Sequence, residues 1–106
     1  MDLRRLAERL GLGEAEFKEV VRLFIESSIA DMESFTSAVR TGDPAGASAA
    51  IHSIKGAALC LGLNDISRAA REIELRSRQG RLDGLAEATA AIKREIEKIA
   101  GYAGER

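Results

Sequence analysis

The feature that most constrains this 106-residue chain is a set of four one-sided apolar stripes separated by short breaks. Phe17, Val21, Phe24, Met32, Phe35 and Val39 recur at helical spacing and stop at Thr41-Gly42. Ala47, Ala50, Ile54, Ala57, Ala58 and Leu61 form a second stripe, stopped by Gly62. Ile66, Ala69, Ala70, Ile73 and Ser77 form a third, ended by Gly80, and Leu85, Ala88, Ile92, Ile96 and Ile99 a fourth. A helix with one apolar face must bury that face against a neighbour. Connections this short make successive helices antiparallel neighbours. The pattern therefore predicts an all-α, antiparallel up-down-up-down four-helix bundle, with residues 1–106 as one domain.

Punctuation supports the same boundaries. Glu14 and Glu16 put negative charge in the first turn of the long helix, where the helix dipole favours it. Asp43-Pro44 reads as an N-cap followed by proline at the first helical position. Asn64 is placed to cap the next helix, and the last opens around Asp83. A short helix over residues 3–10, with Asp2 as cap and Gly11 beyond its end, is expected to cover one end of the bundle with Leu3, Leu6 and Leu10. The tail GYAGER is expected to fray.

Several function classes drop out. Sixteen basic against seventeen acidic side chains leave no surplus to neutralise a phosphate backbone, so nucleic acid is not an expected partner. The apolar run over residues 57–63 is interrupted by Gly62 and far too short to span a bilayer. The opening MDLRRLAERLGLGE lacks the apolar core of a secretory signal. Cys60 has no second cysteine to pair with and lies among apolar residues, which reads as a small core residue in a reducing cytoplasm. There is no phosphate-binding loop with lysine and no cluster of metal ligands, so no cofactor and no self-contained enzyme are expected. Gly11-Leu12-Gly13 reads as a turn between helices.

What remains is the stretch HSIKGAALCLG, residues 52–62, with the only histidine of the chain. On a helical wheel His52 points away from the apolar stripe of its own helix, in company with Ala45, Ser48, Lys55, Gly56 and Leu59. Lys55, at i+3, is its neighbour on that face. Gly56, at i+4, costs the helix about 1 kcal/mol relative to alanine. No cap requires it there, because the helical pattern continues for another turn. A missing side chain beside an exposed imidazole leaves room for another protein to reach the ring. A free imidazole titrates near 6.5, so much of it is neutral and nucleophilic at neutral pH. Phosphorylation of a ring nitrogen would need a cation close by. The N-terminus of the helix is roughly 12 Å away along the axis, which leaves Lys55. Across the turn centred near Leu63, Glu74 lies as far after it as His52 lies before it, so the two share a level in an antiparallel hairpin. A carboxylate there can accept from Nδ1–H, fix the tautomer and leave Nε2 as the nucleophile. Arg78, one turn further, adds positive charge near the site.

The spacing His52-x-x-Lys55-Gly56-x5-Gly62 resembles the motif of histidine-containing phosphotransfer (HPt) domains. The flanking TGDPAGASAAI and LNDISRAAREIELRSRQGR extend the similarity to about residues 17–100. HSIKG with Glu74 is similar in particular to the phosphorylated N-terminal domain of chemotaxis-type histidine kinases, where a glutamate on the next helix contacts the histidine. The resemblance implies a bundle that carries a phosphoryl group on an exposed histidine and exchanges it with a receiver-domain aspartate or a kinase. By that carry-over His52 is phosphorylated, Lys55 balances the charge, Gly56 permits docking and Gly62 helps end the helix. Magnesium would be needed only in the partner receiver. Docking would combine Ser48, Leu59 and Arg78 near His52 with apolar residues of the preceding helix, Ile25, Ile29 and Met32. Family motifs often carry a further small polar residue after the glycine. Ala57 and Ala58 stand there in this chain. A monomer is expected. One alternative is the phosphorylated substrate domain of a chemotaxis-type histidine kinase; another, disfavoured because His, Lys and Gly stand together, is an adaptor bundle that has lost transfer.

Overall fold

The structure, a computed structural model, describes residues 3–104. It contains five helices in order, α1 (Leu3–Leu10), α2 (Glu14–Arg40), α3 (Pro44–Leu61), α4 (Asn64–Arg78) and α5 (Leu85–Gly104), with no strand among the described residues. The four longer helices pack in a ring: α2 lies against α3 and α5, and α4 against α3 and α5. The bundle is elongated, 42 × 22 × 18 Å, its length set by the 27 residues of α2 at about 1.5 Å each.

The stripes read from the sequence supply the core. Phe17, Phe35, Ile54, Ile66, Ile73, Leu85, Ile92 and Ile99 are all buried. Full burial of such side chains stabilises a fold by roughly 1.5–3 kcal/mol each. Ile51, which the wheel omits although it lies three residues before Ile54, is fully buried as well. Ala47, Ala50 and Ala58 on α3 are buried too, and side chains this small bring α3 close to its neighbours.

The caps explain where the helices start and stop. The Glu16 carboxylate accepts from the Gly13 N–H at 2.9 Å and opens α2. The Asp43 side chain accepts from the Gly46 N–H at 3.0 Å and opens α3 just before Pro44. Gly62 closes α3 in the left-handed region, φ 76°, which an L side chain occupies only under strain. Its N–H and that of Leu63 return to the carbonyls of Leu59 and Ala58.

Four expectations need correction. Asn64 does not cap α4: it is already the first helical residue. Leu63 holds the cap position without a side-chain bond, because its burial in the core starts the helix directly after the Gly62 turn. Cys60 is exposed, since two residues beyond buried Ala58 is about 200° around the helix. Leu10 is 38% exposed, so α1 covers the bundle end with Leu6 and Ala7 instead. Asp2 and the side chain of Leu3 lie outside the described residues. The tail is helical as far as Gly104.

Candidate functional site

The site is assembled by α3 and α4 side by side. His52 stands on the outer face of α3 with 59% of its side chain exposed. The equal spacing from the turn brings Glu74 to its level: Nδ1 of His52 is 2.9 Å from Oε2 of Glu74. Glu74 itself is buried, with only 4% of its side chain accessible. It is more deeply set than a wheel alone suggests, because long cationic side chains cover it. Lys55 Nζ lies 2.7 Å from Oε1, and Arg78 donates to Oε2 at 2.8 Å. One carboxylate thus serves an imidazole, an ammonium and a guanidinium.

The electrostatics follow from that crowding. Burial alone would push the Glu74 carboxyl up. Hydrogen bonds with Lys55 and His52, and the charges of Lys55 and Arg78, outweigh burial and hold it below its ordinary value of 4.5. Glu74 is therefore a carboxylate near neutral pH, and a carboxylate only accepts hydrogen bonds. The ring nitrogen facing it carries a proton, and in the neutral imidazole that tautomer keeps the lone pair on Nε2.

The space around the ring is open. A Cβ added to Gly56 would meet no atom within 4 Å apart from its own helix. On one side of His52 a shallow hollow is lined by Pro44, Ser48, Ser77 and Arg78. On the other, a groove between α3 and α4 runs past Lys55 and Leu59 to Arg68 and Arg71. Leu59 is 57% exposed. No group of three or more His, Cys, Asp or Glu among the described residues is placed to hold a metal ion. A bare imidazole nucleophile set on a helical bundle, backed by a carboxylate and ringed by cations, is suited to accept and release an electrophilic group.

A family model described as Hpt domain matches residues 19–102. The chain belongs to the Hpt domain family. No curated protein and no solved structure matches it. Hpt domains act in histidine phosphotransfer within two-component phosphorelays, as phosphocarriers that interact with receiver domains and kinases. No helix among the described residues is long and apolar enough to cross a membrane.

Against that background, the placement of the sequence candidates is instructive. His52, Lys55, Glu74 and Arg78 come together, with Gly56 and Ser48 close by. The apolar residues of α2 do not join them. Met32 is buried, and Ile25, Ile29 and Met32 line a groove against α5 that contains no residue of α3. Sequence reasoning also passed over Arg68 and Arg71. Their signal was readable: Arg68, Arg71 and Arg78 recur at i, i+3 and i+10, along one flank of α4.

Proposed function

We propose that this Hpt domain carries a phosphoryl group on Nε2 of His52, within a phosphorelay in which it exchanges that group with the aspartate of a receiver domain. The observation that carries the reading is the exposed imidazole whose Nδ1 is held by a buried, ionised glutamate. In the forward step the Nε2 lone pair attacks phosphorus. The bond from phosphorus to the donor oxygen breaks, and its electron pair leaves on that oxygen. The ring, with a proton on Nδ1 and phosphorus on Nε2, becomes cationic, and the Glu74 carboxylate stabilises that charge as an acid does behind other catalytic histidines. The phosphoryl group brings about two negative charges. Lys55 turns from Glu74 towards them, while Arg78 stays on Oε2 and keeps the carboxylate paired. Gly56 leaves the approach to Nε2 clear.

The bundle itself runs up-down-up-down in this reading, supported by the short connections and by the level pairing of His52 with Glu74 across the α3–α4 turn. It performs no net reaction alone, works as a monomer in the cytoplasm, and has no cofactor of its own. The test is incubation with a phosphorylated receiver or its kinase. Acid-labile, base-stable label is expected on the chain and is lost in His52→Gln. Absence of label, or label that survives the substitution, overturns the proposal.

A further inference from the structure

We infer that the groove between α3 and α4, from Lys55 to the α3–α4 turn, is a docking surface for an acidic face of the protein that exchanges the phosphoryl group. The inference rests on the carrier reading above and adds to it where the partner lies. Lys55, Leu59, Asn64, Ser67, Arg68 and Arg71 line the groove. It opens within one turn of His52, since Lys55 is three residues away on the same face.

Arg68 and Arg71 are exposed and make no hydrogen bond or ion pair with any described residue. Arg78, by contrast, is engaged by Glu74. Two guanidinium groups are thus left with all their donors free, at the rim of a groove whose wall is the largely exposed Leu59. The chain as a whole is slightly acidic, with net charge −1, so the basic groove is a local segregation of charge. The acidic residues of α4 show how it arises. Asp65 lies on the neighbouring flank of the helix, towards α5, and Glu72, two turns on, follows that flank. Positive charge is left towards α3 and negative charge towards α5.

A free arginine fork suits a carboxylate, which it binds with two parallel hydrogen bonds. An aspartate-bearing partner brings at least one carboxylate to His52. Further acidic groups beside it would meet Arg71 and then Arg68 along the groove, with an apolar side chain over Leu59. Such charge complementarity speeds encounter and fixes register, and it weakens as salt rises. The α2–α5 groove lacks this asymmetry: Glu33 and Glu97 face Arg40 and Lys93 there.

The experiment compares two phosphoryl donors. Phosphoramidate is a small donor whose phosphorus–nitrogen bond breaks with loss of ammonia as the bond to Nε2 forms, so it reports the chemistry of His52 without a docked protein. The second donor is the phosphorylated receiver that labels the unsubstituted chain. In the double variant Arg68→Glu/Arg71→Glu, phosphoramidate labelling is expected to persist. Transfer from the receiver should show KM raised by about tenfold or more at unchanged kcat, with a flatter dependence on salt. Arg68→Lys/Arg71→Lys should recover most of the loss. An unchanged KM overturns the docking surface alone. Failure of phosphoramidate to label the unsubstituted chain overturns the carrier reading, and this one with it. If the charge reversal instead changes the sedimenting mass of the free chain, a second copy occupies the groove and the proposal falls.

Discussion

Gly56 and Gly62 stand six residues apart, one inside α3 and one just past its end, and the same residue type does opposite work in the two places. Gly62 has φ 76°, and a Cβ there would lie 2.9 Å from Leu6 Cδ1 of α1. It ends α3 at the turn into α4 and lies against Leu6 of the covering helix. Gly56 has ordinary helical surroundings and open space where its side chain would be. Nothing in the fold requires it, and it weakens the helix it belongs to. A residue that the fold needs is tied to backbone geometry and to a neighbour. A residue kept against the interest of the fold points to something outside it, which in the proposed carrier role is the approach of a partner to Nε2 of His52.

The contrast can be broken most easily at Gly62. Gly62→Ala should cost about 1–2 kcal/mol through the left-handed backbone alone, with a further adjustment of Leu6. Each kcal/mol corresponds to roughly 4–8 °C in Tm for a domain of about this size. Thermal unfolding followed by circular dichroism checks it. A variant as stable as the parent would mean that the turn tolerates side chains, and the distinction between the glycines would fail. Gly56→Gln should move stability the other way, raising it by about 0.5 kcal/mol, while slowing transfer from a phosphorylated receiver. Normal transfer in a variant that folds well would remove the access role of Gly56.

The two glycines also show how far a sequence can be read. Gly62 was legible because helix punctuation is local: a glycine after the last apolar residue of a stripe has one common geometry. Gly56 was legible because it violates a local rule in mid-helix. His52 and Glu74 could be paired by counting, since a short turn transmits register across two helices. Burial of Glu74 was harder to read. A wheel puts it at the rim of the apolar face, and its burial comes with the contacts it makes to His52, Lys55 and Arg78, which a wheel of one helix does not contain. Asn64 and Cys60 failed for a related reason. Their places depend on the burial of Leu63 and Ala58 beside them, which is a matter of packing and not of residue type. The α2 residues expected at the docking face, Ile25, Ile29 and Met32, are apolar and periodic. Periodicity fixes a helix face without saying which neighbouring helix that face meets.

Glu74 lies between the two extremes, covered like a core residue yet built into the polar face, and its substitution should have a smaller effect than that of Gly62. Glu74→Gln keeps the shape and one acceptor for His52 Nδ1–H but removes the charge. Lys55 and Arg78 keep their cations partly in water, so the loss at neutral pH should stay below about 1 kcal/mol. Its pH dependence is the sharper reading. The carboxyl of Glu74 is held below its ordinary value of 4.5 in the folded protein. Between that value and the lower folded one, the unfolded chain binds a proton that the folded chain does not. Stability from this group is therefore complete above the unfolded value and disappears as pH falls through the folded one. Parent and Glu74→Gln should differ at neutral pH and converge on the acid side, in urea unfolding followed from neutral pH to about pH 3. A gap that stays constant through that range would mean that Glu74 stabilises the fold by packing alone. It would then belong with Gly62, among the residues the fold needs, and its contact with His52 would be incidental to the electrostatics of the site.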